Sequence, residues 1–198
     1  GDLYPALTYT GQPAAAQFAA KYERFFADYG VLFGLSPAAE VRLADIHEDA
    51  YAATHLTYQQ YGGLPGWRVP VYGGILRTHF DARGRLTAAN GVAVPVDTVD
   101  TTPNIPAAAA AATAIGAVTV SDPTLYAAAT DLFIFEPALL KSSAGPVYLA
   151  WQVEVVNNRG TVRRFVFVDA HSGKLLLALD GEGARDHLAT LHVAAHVG

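Results

Sequence analysis

Side-chain types alternate from Thr54 to Gln60, the pattern of a strand with one covered face. Gly62, Gly63, Pro65 and Gly66 then break it with turn residues. Val69, Val71, Ile75 and Leu76 resume an extended apolar segment, interrupted by Gly73-Gly74. Asp81-Ala82-Arg83-Gly84 reads as a turn, with Gly84 free to take positive φ, and Arg85 to Ala89 returns as the partner strand. The whole stretch predicts an antiparallel meander. Upstream, Phe18, Tyr22, Phe25 and Tyr29 fall at helical spacing, with Lys21, Glu23 and Arg24 off that stripe. This predicts an amphipathic helix from Pro13 to Tyr29, with Pro13 in its first turn and Gly30 and Gly34 ending it. Glu40 to Ile46 alternates weakly and reads as another strand.

The second half follows the same order. Val94 to Pro106 holds three prolines and is the most linker-like stretch, so the domain boundary is expected there. Ala107 to Gly116 is an alanine-rich helix that must pack closely, because alanine buries little area. Ser121-Asp122-Pro123 reads as the cap of a further helical turn through Thr130. Strands are then expected at Asp131 to Glu136, Val147 to Val156, Thr161 to Val168 and Lys174 to Asp180. In the second of these, Leu149, Trp151, Val153 and Val155 share an apolar face, while Tyr148, Ala150, Gln152 and Glu154 share the other. Phe80 to Gly91 also lines up with Val168 to Gly181. Both read Asp-Ala, a turn closed by glycine, a basic residue, leucine, then an apolar strand. Hairpins that share turn rules would show this, and so would two domains of similar plan. The fold class expected is α+β: two small domains, each an antiparallel sheet covered by a helix. They span residues 1–97 and 98–181, followed by a tail at 182–198.

Composition narrows the function classes. The chain has 198 residues, 52% hydrophobic, with ten Tyr and nine Phe, ample for a packed core. A net charge of -5 argues against nucleic acid as a partner. Arg159, Arg163 and Arg164 form the one tight basic group, read as a solvated strand face. No apolar run approaches the roughly 20 residues that span a bilayer, so no membrane span is expected. The absence of cysteine excludes disulfides, thiolate metal sites and a cysteine nucleophile. No secretory leader is read at Gly1 to Gln12.

Reaction centres are hard to find. His47-Glu48 does not open a zinc-protease helix, because Tyr51 stands where the second histidine is needed. His55 and His79 read as separate structural histidines on strands. Gly62-Gly63 and Gly73-Gly74 lack the helix start that a phosphate loop requires, and no nucleophile elbow or carboxylate pair stands out. No catalytic residue, cofactor or metal bound by the chain alone is expected.

Several segments carry a family resemblance. They are Phe25-Phe26-Ala27-Asp28-Tyr29-Gly30-Val31-Leu32-Phe33-Gly34-Leu35, Tyr58-Gln59-Gln60, Val69-Pro70-Val71-Tyr72-Gly73-Gly74, Phe80-Asp81-Ala82-Arg83-Gly84-Arg85 and Asn90-Gly91. On these the first half resembles the propeptide domain of fungalysin- and thermolysin-type metalloproteases. The second half is similar to the PepSY domain that follows it there. That match rests on the helix after Thr102-Pro103, on Leu149-Ala150-Trp151-Gln152-Val153, and on Val166-Phe167-Val168-Asp169-Ala170-His171-Ser172-Gly173-Lys174. Two departures stand out. Gly63 to Arg68 makes a longer connection than the family usually has, and the catalytic domain that follows in those proteases is not in this sequence.

The resemblance implies a non-catalytic prodomain of a secreted, extracellular zinc metalloprotease. Its partner would be the cognate zinc metalloprotease catalytic domain, which it helps to fold and then inhibits. In that reading Gly181 to Gly198 lies in the protease cleft. Asp186, His187, His192 and His196 are the candidate contacts, the last two at i and i+4. A solvated tail is the plainer reading of the same residues. The competing class is a free-standing exported binding or adhesion module. Its natural contact would be the Gly62 to Trp67 loop with Trp67 exposed, although Trp67 folded back as a small satellite core is the plainer reading of the sequence.

Overall fold

A computed structural model describes residues 25–140 and 145–181. Residues 25–29 are helical and run into a 3-10 turn at Gly30–Phe33. Then come β1 (Glu40–Glu48), β2 (Thr54–Leu64), β3 (Trp67–Phe80), β4 (Leu86–Gly91), α1 (Ala107–Ala117), β5 (Leu125–Phe135), β6 (Tyr148–Asn157), β7 (Arg163–Asp169) and β8 (Leu175–Asp180). The architecture is mixed α+β with one large, mostly antiparallel sheet. Its order is β1-β2-β3-β5-β6-β7-β8, with β4 also paired to β3.

The expectation of two separate small sheets is corrected here. Two antiparallel meanders are joined through β3, whose Val71 pairs with Ile134 of β5 in parallel fashion. The cause is a bulge. β2 and β3 pair as Gln59↔Ile75 and then as Tyr61↔Pro70, so residues 71–74 stand opposite Gln60 alone. Released from the hairpin ladder at that point, the strand around Val71 can pair with a new neighbour.

Each meander buries one face under a helix. Phe25 and Phe26 pack on Leu56, Tyr58, Leu76 and Phe80, as the aromatic stripe suggested for its C-terminal end. Residues 13–24 of the expected helix lie outside the described residues. Ala110 and Ala114, one turn apart and fully buried, set α1 against Val153, Val155, Val166 and Val168. Small side chains on that stripe allow the close approach the alanines required. The Trp151 indole N–H donates to the Ile105 carbonyl at 2.7 Å and fixes the start of the helix.

Three further expectations change. The helical turn expected from Ser121 to Thr130 is mostly strand, since β5 begins at Leu125 and pairs with β6 from Leu125↔Asn157 onward. Asp122 does act as a local cap, but of a turn: its Oδ1 accepts from the Thr124 backbone N–H and hydroxyl. The long Gly63 to Arg68 connection is an extension of the hairpin, with Leu64 paired to Trp67 and only Pro65-Gly66 at the corner. The linker-like stretch from Val94 is a packed strap. Val94 and Val96 are buried against both meanders, and Thr101 is buried further along the strap.

The repeated Asp-Ala turns form as read. Asp81 Oδ1 accepts from the N–H groups of Arg83 (2.9 Å) and Arg85 (3.0 Å). Asp169 Oδ1 accepts from His171 (2.8 Å) and Ser172 (3.2 Å). Gly84 at φ +71° and Gly173 at φ +73° supply the left-handed residue in each. Among the described residues, no helix is long and apolar enough to cross a membrane.

Candidate functional site

The bulge at residues 71–74 is built from side chains that the sequence shows only as separate motifs. Gln59 and Gln60 are both buried. Gln59 Nε2 donates towards the carbonyls of Gln60 (2.8 Å), Val71 (2.8 Å) and Gly74 (3.3 Å), and so ties the bulge to its own strand. Gln60 reaches the other way. Its Nε2 donates to Val94 O at 2.7 Å, and its Oε1 accepts from Val94 N at 2.9 Å. The amide thus pairs with the strap as a strand backbone would. Gly74 has to be glycine, because a Cβ there would lie 2.8 Å from Val71 Cβ and 2.9 Å from Gln60 Oε1.

The same bulge throws Tyr72 into the second meander. Its ring meets Phe133 and Phe135 edge-on at 5.7 Å and Phe167 at 4.9 Å, while Phe135 and Phe167 stack at 4.1 Å. The Tyr72 hydroxyl has no hydrogen-bond partner among the described residues. Burial pushes its phenol above the ordinary range. This is a packed aromatic joint between the halves.

The hairpin corner is one exposed apolar feature among the described residues. Leu64 is 73% exposed and Trp67 57% exposed. The Trp67 indole N–H donates to Thr101 O at 3.0 Å. Arg68 braces the base of the corner, donating to Ala38 O at 3.0 Å and pairing with Glu40 at 2.8 Å. The corner is therefore a held surface. No family model matches the sequence, and no curated protein matches it. Among solved structures the chain is similar to the C-terminal domain of Bacillus megaterium YpeB. That similarity is 11% identity and a TM-score of 0.36, over 90% of this chain and 69% of that chain.

His55 and His79, read separately in the sequence, stand together on the solvent side of the first meander. The register places His47, His55 and His79 in one row across β1, β2 and β3. The Nδ1 atoms of His55 and His79 are 2.7 Å apart. His55 Nε2 lies 3.2 Å from Asp49 Oδ2, and Asn90 Nδ2 lies 3.1 Å from His79 Nε2. His47 stacks on His55 with ring centroids 6.2 Å apart. Among the described residues, no three histidine, aspartate or glutamate side chains converge as a metal site. The signal missed was register. Both histidines sit on the polar face of a strand, but only the position of the bulge makes them opposite.

The basic group divides. Arg163 pairs with Glu154 at 2.6 Å and covers the Phe165 ring, and Arg164 pairs with Asp180 at 2.8 Å. Asp186, His187, His192 and His196 lie outside the described residues.

Proposed function

We propose that the chain is a non-catalytic prodomain that folds and inhibits a secreted zinc metalloprotease by presenting a shaped protein surface. One observation carries the reading. Tyr58-Gln59-Gln60 and Val69 to Gly74, the separate segments on which the propeptide resemblance stands, meet in one buried unit, where Gln59 holds the carbonyls of Val71 and Gly74. Motifs that fit together in space support a resemblance more than motifs that only follow in order. In this reading residues 1–97 and 98–181 are two cystatin-like layers. Residues 182–198 enter the protease cleft with Asp186, His187, His192 and His196. A prodomain of this kind lowers the folding barrier of its partner by binding the folding transition state.

On this reading the chain has a cognate zinc metalloprotease, and the test uses that enzyme. The isolated chain should inhibit it slowly and tightly at micromolar concentration or below. It should also raise the yield of active protease refolded from denaturant. Removing residues 182–198 should weaken inhibition while leaving the refolding effect. Neither inhibition nor improved refolding from the intact chain would refute the proposal.

The exposed Leu64 and Trp67 favour a second reading, an exported binding or adhesion module with the hairpin corner as its contact. Under that reading Trp67→Ala abolishes capture of an extracellular partner. Under the prodomain reading inhibition survives that change within a few fold.

A further inference from the structure

The hydrogen-bonded row Asp49–His55–His79–Asn90 can be solved for its protons. An ionised carboxylate only accepts, so His55 Nε2 carries the hydrogen that faces Asp49. With that ring neutral, His55 Nδ1 is bare and must accept from His79 Nδ1–H across 2.7 Å. His79 Nε2 is then bare and accepts from the Asn90 amide at 3.1 Å. Every group is satisfied when both rings are neutral. One added proton fits at His79 Nε2 if the Asn90 amide turns over. A second has no place. It would set two N–H groups head-on at 2.7 Å and put two cations in contact.

We propose that the His55–His79 contact is an acid-sensitive latch between β2 and β3, which mild acid opens to loosen the β2-β3-β4 end of the sheet. The latch does not depend on the prodomain reading. Burial, the His55 charge and Arg77 all hold the His79 pKa below its ordinary 6.5. A lowered histidine value means stability that is present above 6.5 and lost as pH falls below it. The charged neighbours are few. Asp49 faces the row from the β1–β2 turn, His47 and Asp45 from β1, and Arg77 from β3 itself. β4 contributes Asn90 but no ionisable side chain.

The deciding measurement is a ring-resolved NMR titration of the intact chain, with amide exchange protection read at about pH 7.5 and about pH 5, either side of the ordinary histidine value. His79 should take up its proton below its ordinary 6.5. Protection in β2, β3 and β4 should fall about tenfold for each unit by which the His79 pKa is lowered, with β6 and β7 unchanged. His55→Gln/His79→Gln retains amide hydrogen-bonding groups but cannot titrate, and should abolish the difference. Independent titration of both rings near 6.5 with no change in protection would overturn the latch, even without any variant. So would an unchanged acid response in the double variant. Stoichiometric zinc binding at these rings at neutral pH would also overturn it and assign the row to a metal.

Discussion

Gln60 stands in for a missing piece of backbone, and its removal should show how much that matters. Gln60→Leu keeps the shape but orphans the Val94 N–H and carbonyl, which lie at a fully buried residue. Each orphaned group costs about 1–3 kcal/mol, so the urea midpoint should drop clearly with little change in slope. Asp122 tests the opposite limit, an accessible anion. The Thr124 hydroxyl, the Asn157 amide and the Thr124 backbone N–H hold its pKa at about 2, below the ordinary 3.8. A lowered carboxyl value gives stability that is present above 3.8 and lost as pH falls towards about 2. Asp122→Ala should therefore be less stable than the parent near neutrality, and the gap should narrow in acid scans. The two residues also mark what a sequence reveals. The Asp81 and Asp169 turns were legible because donor, acceptor and glycine lie within a few residues. The glutamines were not, because the partner of Gln60 is 34 residues away.

At the scale of elements, alanine reads differently in two places. In α1, Ala110 and Ala114 form a buried stripe, and the helix expected from Ala107 onward is present. In β5, Ala127 to Ala129 carry the same helix preference, yet the segment is strand with a bulge between Ala127 and Ala129. Propensity of a few tenths of a kcal/mol per residue loses there to a full ladder with β6. The stripe on α1 leads to a sharp prediction. Ala114→Leu forces added methylenes against Val153, Val155, Val166 and Val168, and should cost about 1–3 kcal/mol in thermal or urea unfolding. Ala112 is exposed on the same helix, so Ala112→Leu should be nearly neutral and serves as the control.

For the whole molecule, the feature that joins the halves is the Tyr72 joint beside the Val71–Ile134 pair. The sequence showed two meanders, but not that β3 of one pairs with β5 of the other. A bulge has no periodicity, and its effect is felt between residues far apart in order. Tyr72→Ala should cost about 3–5 kcal/mol by leaving a void among Phe133, Phe135 and Phe167. Unfolding should then separate into two calorimetric transitions, where the parent is expected to give one. Tyr72→Phe removes a buried hydroxyl with no described partner and should match or exceed the parent's stability. The order of synthesis adds a consequence of the β3–β5 pairing. β3 leaves the ribosome well before β5, so its flank around Val71 must wait as an unpaired template while the strap and α1 are still being made. Such a waiting edge invites intermolecular pairing. Pro70, which lacks an N–H, stands beside Val71 and weakens that edge as a template for a neighbouring nascent chain.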